Sequence, residues 1–186
     1  PTHRFYRIID RYSPHVIANV FFGHTHEDFA YIWYANNGTN QSSANALTTA
    51  WVGPSITPLT NVNSAFRSYT VDTGDWNIYE AYTFYSDVET FSGLNTSGPT
   101  FKFEYNTRET YAPSINWPVE APLNATFWHQ VSEQIAKNTT LASVFNTYQG
   151  KSSVMSPNCT NVACAQAKAC YMRSGSVALG SKCPQG

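Results

Sequence analysis

The stretch Val16–Phe22, "VIANVFF", constrains this chain most. It is apolar apart from Asn19 and far short of the ~20 residues that span a bilayer. It reads as a strand buried on both faces, of the kind found inside an α/β sheet. Such a strand needs a layer of structure on either side. The sequence around it offers a single helix: "RFYRIIDRY" places Phe5, Ile8, Ile9 and Tyr12 at helical spacing, and Ser13-Pro14 ends it. Strands follow at "FAYIWYA" and "LTTAWVG", with the polar loops "NNGTNQSSANA" and "PSITPLTN" after them. "AFRSYTVD" and "WNIYEAYTFY" form a hairpin across "TGD". One helix against about five strands is a poor self-contained fold, so this half is expected to lean on something else.

The second half changes character. "NATFWHQVSEQIAKN" puts Phe127 or Trp128, Val131 and Ile135 on one helical face. "TTLASVFNTYQG" is a second helix, with Thr139 or Thr140 as cap and Gly150 as stop, and "NVACAQAKACYM" is a third. The reading is an α/β portion over residues 1–88 followed by a small helical domain over 89–186.

Composition narrows the function classes. A formal net charge of −1 gives no electrostatic case for nucleic acid. Aromatics make up 15% of the chain, which suits large buried contacts and also a carbohydrate or lipid-headgroup site. The chain begins with neither Met nor a charged leader, so a processed product or fragment is expected. All four cysteines, Cys159, Cys164, Cys170 and Cys183, lie near the C-terminus. With no Cys-x-x-Cys pair and no nearby His, they read as two disulfides rather than zinc ligands. Asn37, Asn40, Asn95, Asn124, Asn138 and Asn158 each head an N-x-[ST] acceptor. Cysteines and acceptors together point to a secreted glycoprotein.

The chemistry-bearing stretch is "FFGHTHEDFAYIWY". His24 and His26 stand two apart at the end of an apolar strand, where ligands gather in α/β sheets. Neutral imidazole is the commonest metal ligand, and Gly23 is expected to permit a sharp loop there. Glu27 and Asp28 follow, either as acceptors orienting the histidines or as solvated carboxylates. His129, in "FWHQ", reads as a surface or packed histidine rather than a cleft residue.

"FFGHTHEDFAYIWYANN" resembles the last metal motif, Gly-His-Thr/Ser-His, of the calcineurin-like metallophosphoesterases. The wider sequence resembles acid sphingomyelinase and its secreted fungal-type relatives. The matching stretches are "FYRIIDRY", "GPSITPLTNVNSAFRSYTVD", "TRETYAPS", "ATFWHQVSEQI" and the cysteine tail "CTNVACAQAKACYMRSGSVALGSKC". The resemblance covers essentially the whole chain in linear order. It implies the C-terminal portion of an αββα metallophosphoesterase sandwich, followed by a disulfide-bonded helical domain. It also implies a two-zinc site that holds a phosphoryl group and activates water, with His24 on one metal and His26 on the other. The family's Asp-x-His, Gly-Asp and Gly-Asn-His motifs are absent from this chain, so an upstream segment or companion chain would supply the remaining ligands. The implied reaction is hydrolysis of sphingomyelin to ceramide and phosphocholine, or of another phosphodiester such as a nucleotide. A non-catalytic glycoprotein derived from the family is the alternative. The implied location is extracellular or an acidic vacuolar or lysosomal compartment. Tyr82 lies near the family's headgroup aromatic, where cation–π attraction suits choline, and otherwise reads as a plain core tyrosine. The matching tail implies the pairs Cys159–Cys164 and Cys170–Cys183.

Overall fold

Aromatic and β-branched residues suit a pleated, half-buried surface, and the two densest runs of them become neighbouring strands. The computed structural model describes residues 2–59, 62–93, 96 and 98–184. Asn19–Phe22 (β1) pairs in parallel with one side of Ala46–Val52 (β3). Phe29–Tyr34 (β2) pairs antiparallel with its other side, giving the order β1-β3-β2. Ser64–Val71 (β4) and Ile78–Ser86 (β5) form the expected hairpin, closed where Asp72 N–H donates to the Asn77 carbonyl at 3.0 Å. Lys102–Asn106 (β6) completes a second antiparallel sheet, β4-β5-β6. The sequence pattern did not signal β6, because "KFEYN" is short and carries two charges.

Thr2–Tyr12 (α1) covers one face of the first sheet, packing Tyr6 and Ile9 with Trp33 and Ala50. Below the second sheet runs the short helix Thr107–Tyr111 (α2). Three longer helices follow: Ala125–Lys137 (α3), Thr139–Gln149 (α4) and Val162–Met172 (α5), then the turn Val177–Gly180 (α6). Phe127, Trp128, Val131 and Ile135 of α3 join Ile32, Tyr34 and Trp51 in the main core. Ala165 and Ala169 of α5 enter the same core. The fold is therefore mixed α/β, with two small sheets and a helical part that carries the disulfides Cys159–Cys164 and Cys170–Cys183. Among the described residues no helix is long and apolar enough to cross a membrane.

Three local expectations change. β1 covers Asn19–Phe22 rather than Val16–Phe22, and it is not buried on both faces: Phe21 and Phe22 are 55% and 42% exposed. Among the described residues the strand sits at a sheet edge with β3 as its one partner. The cap of α4 is Asn138, not a threonine, and its side chain accepts from the N–H groups of Thr140 and Leu141. Gly150 does end α4, but without left-handed backbone. Lys151 and Ser152 take that conformation instead, with φ of 56° and 53°. Gly150 is needed for space, since a Cβ there would lie 1.7 Å from Ser156 Oγ.

Close approach also governs Gly175. Its carbonyl accepts from Trp33 Nε1 at 2.9 Å, and a Cβ would lie 2.3 Å from the Trp33 ring. Gly175→Ala is expected to destabilise the protein by about 1–3 kcal/mol through overpacking. Urea unfolding of the variant checks this, and an unchanged midpoint would contradict the close contact.

Candidate functional site

His24 and His26 lie on the loop between β1 and β2, at the C-terminal end of β1. The loop after β3 runs alongside, with Gly53 N–H donating to the Phe22 carbonyl at 2.8 Å. Both histidines have left-handed backbone, with φ of 80° and 63°. For non-glycine residues that conformation costs on the order of 1–3 kcal/mol each, and such strain gathers at functional sites. Gly23, expected to make the turn, stays outside the left-handed region, so the histidines carry the strain themselves. His24 is exposed. His26 is half-buried, and its Nδ1 is shielded from solvent with no hydrogen-bond partner among the described residues.

The exit of the loop is anchored by Asp28. Its N–H donates to the Gln149 carbonyl at 3.1 Å. Its carboxylate accepts from the Arg67 guanidinium, from Tyr105 hydroxyl at 2.8 Å and from Thr83 hydroxyl at 3.2 Å. The Asp28 and Arg67 side chains are 5% and 3% exposed. Burial opposes the Arg67 charge, but the adjacent Asp28 carboxylate outweighs it and the net shift is upward. Glu27 turns the other way and accepts from Gln149 Nε2 at 2.8 Å, while Gln149 Oε1 accepts from Lys168 Nζ at 2.6 Å. Among the described residues neither carboxylate is hydrogen-bonded to a histidine. Each ties the loop to a different wall.

A second polar cluster joins β6 to the turn after α4. Glu104 accepts from Ser152 hydroxyl at 2.7 Å, while its Oε2 is buried with no partner among the described residues. Burial pushes this carboxyl up to about 8. Lys151 is fully buried, reaches the Ser55 carbonyl at 3.4 Å, and burial pushes its amine down to about 8.

The other candidates separate. His129 is a packed histidine, 3% exposed, with Nδ1 2.9 Å from Tyr34 hydroxyl. Burial lowers its pKa. Tyr82 is not brought together with the histidines. It stands on the face of β5 opposite Thr83, the residue that reaches Asp28. Asn37, Asn40, Asn138 and Asn158 are exposed and Asn124 half-exposed, while Asn95 lies outside the described residues.

Two imidazoles on one strained loop suit metal ligation, and the orphaned His26 nitrogen fits that use. A closed zinc site wants about four ligands, and among the described residues no group of three or more His, Cys, Asp or Glu could hold an ion. The loop thus carries two imidazoles, fewer than a closed site needs. Sequence reasoning missed Arg67 and Tyr105. Alternation was the available signal, since it puts Arg67 on the same face of β4 as buried Ala65.

No protein-family model matches the chain. It is 30% identical over 172 residues to sphingomyelin phosphodiesterase B of Dictyostelium discoideum, covering 90% of this chain and 25% of that protein. It is 29% identical over 141 residues to sphingomyelin phosphodiesterase 2 of Caenorhabditis elegans, covering 74% and 21% respectively. The bovine sphingomyelin phosphodiesterase is 29% identical over 144 residues, covering 76% and 21%. The chain spans about a quarter of the length of the curated relatives it matches. The similarity seen in the motifs therefore extends over most of this chain and a minor part of each relative.

Two outcomes follow from the buried charges. Arg67→Leu leaves the Asp28 carboxylate buried without its cation and should cost about 3–5 kcal/mol. Adding Asp28→Asn should recover part of that loss, and a double variant no more stable than Arg67→Leu in urea would contradict the pairing. Glu104 holds its proton in the fold to about pH 8, whereas the unfolded chain releases it at the ordinary carboxylate value. Between those values the folded state binds more protons, so stability falls as pH rises and levels off above about 8. The depressed Lys151 acts only above that window. Glu104→Gln should flatten the decline in thermal midpoint across the window, and an unaltered slope would assign the decline elsewhere.

Proposed function

We propose, on the premise of sphingomyelin phosphodiesterase-like ancestry, that this chain supplies part of the active site of a secreted zinc-dependent phosphodiesterase. The substrate is sphingomyelin, cleaved to ceramide and phosphocholine. The observation that carries the reading is the His24-x-His26 loop, strained and anchored at the end of a parallel strand, in a chain similar to those enzymes over most of its length. His24 and His26 are the ligands it contributes, one to each ion. Bound divalent ions supply Lewis-acid stabilisation of phosphoryl oxygens and a water of lowered pKa. The chain's own residues act on the loop. Asp28, held by Arg67, Tyr105 and Thr83, fixes its exit, and the Glu27–Gln149–Lys168 chain fixes its flank.

The remaining ligands come from a companion segment corresponding to the larger part of the relatives. Two features support this. β1 has a free edge and two exposed phenylalanines, an arrangement that invites a further strand. The outer face of the second sheet carries Phe66, Phe84 and Phe103 side by side across β4, β5 and β6, with Phe66 40% and Phe103 52% exposed. Apolar surface of this kind marks an interface. The absence of a three-donor group among the described residues favours one second reading, a non-catalytic glycoprotein of the same ancestry.

Zinc-dependent turnover of sphingomyelin separates the two. The chain joined to its upstream segment should hydrolyse the lipid, lose activity to a chelator and regain it with zinc. The isolated chain should not turn over. His24→Ala or His26→Ala in the joined protein should lower kcat by about 100-fold or more, as several kcal/mol of transition-state stabilisation depend on each ion. Full activity in either variant would remove these residues from the site. Turnover by neither form would favour the non-catalytic reading.

A further inference from the structure

The molecule has five tryptophans, and four of them pack their rings. Trp33 meets Phe5 and Phe22, Trp51 meets Tyr69 and Trp128, and Trp117 meets Phe127. Trp76 is the exception. It is 63% exposed and meets no other ring among the described residues. Yet it is firmly held. Its backbone is left-handed at φ 61°, its N–H donates to the Asp72 carbonyl at 2.8 Å, and its carbonyl accepts from Asn19 Nδ2 at 2.8 Å. Asn19 in turn accepts from Trp51 Nε1 at 3.0 Å, which ties the hairpin turn to the first sheet. The backbone contacts thus hold a bulky apolar ring in one place with its face open to a ligand.

Trp76 lines a cavity of about 500 Å³. Asp75, Asn77 and His15 add polar groups to its wall, and Asn124 and Thr126 line it as well. Asn124-Ala125-Thr126 is one of the N-x-[ST] acceptors. The Asn124 side chain caps α3 with its oxygen alone, which accepts from Phe127 N–H at 3.1 Å. Its Nδ2, the atom that carries an N-glycan, donates no hydrogen bond among the described residues. A glycan there leaves the helix cap intact and starts from the cavity wall.

We propose that Asn124 is N-glycosylated and that its first sugars occupy this cavity, stacked on Trp76. The C–H face of a pyranose is apolar and slightly positive, and the indole face carries the negative side of its quadrupole. Sugar hydroxyls find Asp75, Asn77 and His15 around the rim. The glycan is thus a built-in layer of the fold, covering an aromatic that the described residues of this chain leave 63% exposed. The proposal rests on the secreted-glycoprotein part of the functional reading.

The test uses the full-length protein secreted from a eukaryotic host. Glycopeptide mass spectrometry should find a glycan on Asn124. Thr126→Val removes the acceptor and keeps the Asn124 cap, and should lower the thermal midpoint by about 2–4 °C. Trp76→Ala should give a similar loss in the glycosylated protein and little further loss in the Thr126→Val background. Glycans at other acceptors but none on Asn124 would overturn the proposal and leave the secreted reading standing. No glycan at any acceptor would overturn both. Equal losses from Trp76→Ala in the two backgrounds would show that the sugar does not rest on the ring, and would overturn the stacking.

Discussion

The Asp28–Arg67 pair is the contact on which the rest of this architecture hangs. Asp28 enters β2 of the first sheet and Arg67 stands in the middle of β4 of the second. A buried ion pair contributes little net stability against an apolar replacement, because both charges must leave water. Its value here is positional. One carboxylate receives a guanidinium and two hydroxyls, from β4, β5 and β6 in turn, so all three strands of the second sheet register against one point. That point lies two residues from His26. The geometry of the histidine loop and the docking of the two sheets are therefore one constraint.

Anchoring explains how the loop carries two left-handed histidines. Strained backbone persists only where its surroundings over-determine it. Glu27 and Asp28 pull on opposite walls, toward α4 and α5 on one side and the second sheet on the other. Between those pulls the chain has no slack to relax His26. The side chain left over is an imidazole with a buried, unpartnered nitrogen, which is a poor arrangement for stability and a good one for receiving a ligand.

Much of this was legible in sequence, and the limits have physical causes. Helix α1 and its stop, the central strands, the β4–β5 hairpin and the three longer helices follow from periodicity and turn residues. The cap of α4 was misplaced by one or two residues because Asn138, Thr139 and Thr140 are all competent caps, and backbone geometry chose among them. β6 was missed because a five-residue strand with two charges has no pattern of its own and is recruited by the open edge of β5. The histidine pair was visible as a motif. Its anchor was not, since Arg67 and Tyr105 lie 39 and 77 residues from Asp28, and pairing between sheets leaves no local trace.

The incomplete burial of β1 is the same lesson read in reverse. An apolar run such as "VIANVFF" records the surroundings in which a strand works, not only the chain that carries it. Here Phe21 meets Tyr69 on one face, and Phe22 meets Phe5 and Trp33 on the other, yet both rings keep large exposure. Contacts on both faces with exposure remaining are what an edge strand shows when a neighbour has still to cover it. A strand added beside β1 would shield those rings and bring its own C-terminal or N-terminal loop next to His24. The exposed rings of β1 and the histidine loop lie at one edge of the molecule, so under the proposed function a single companion segment covers the first and completes the second.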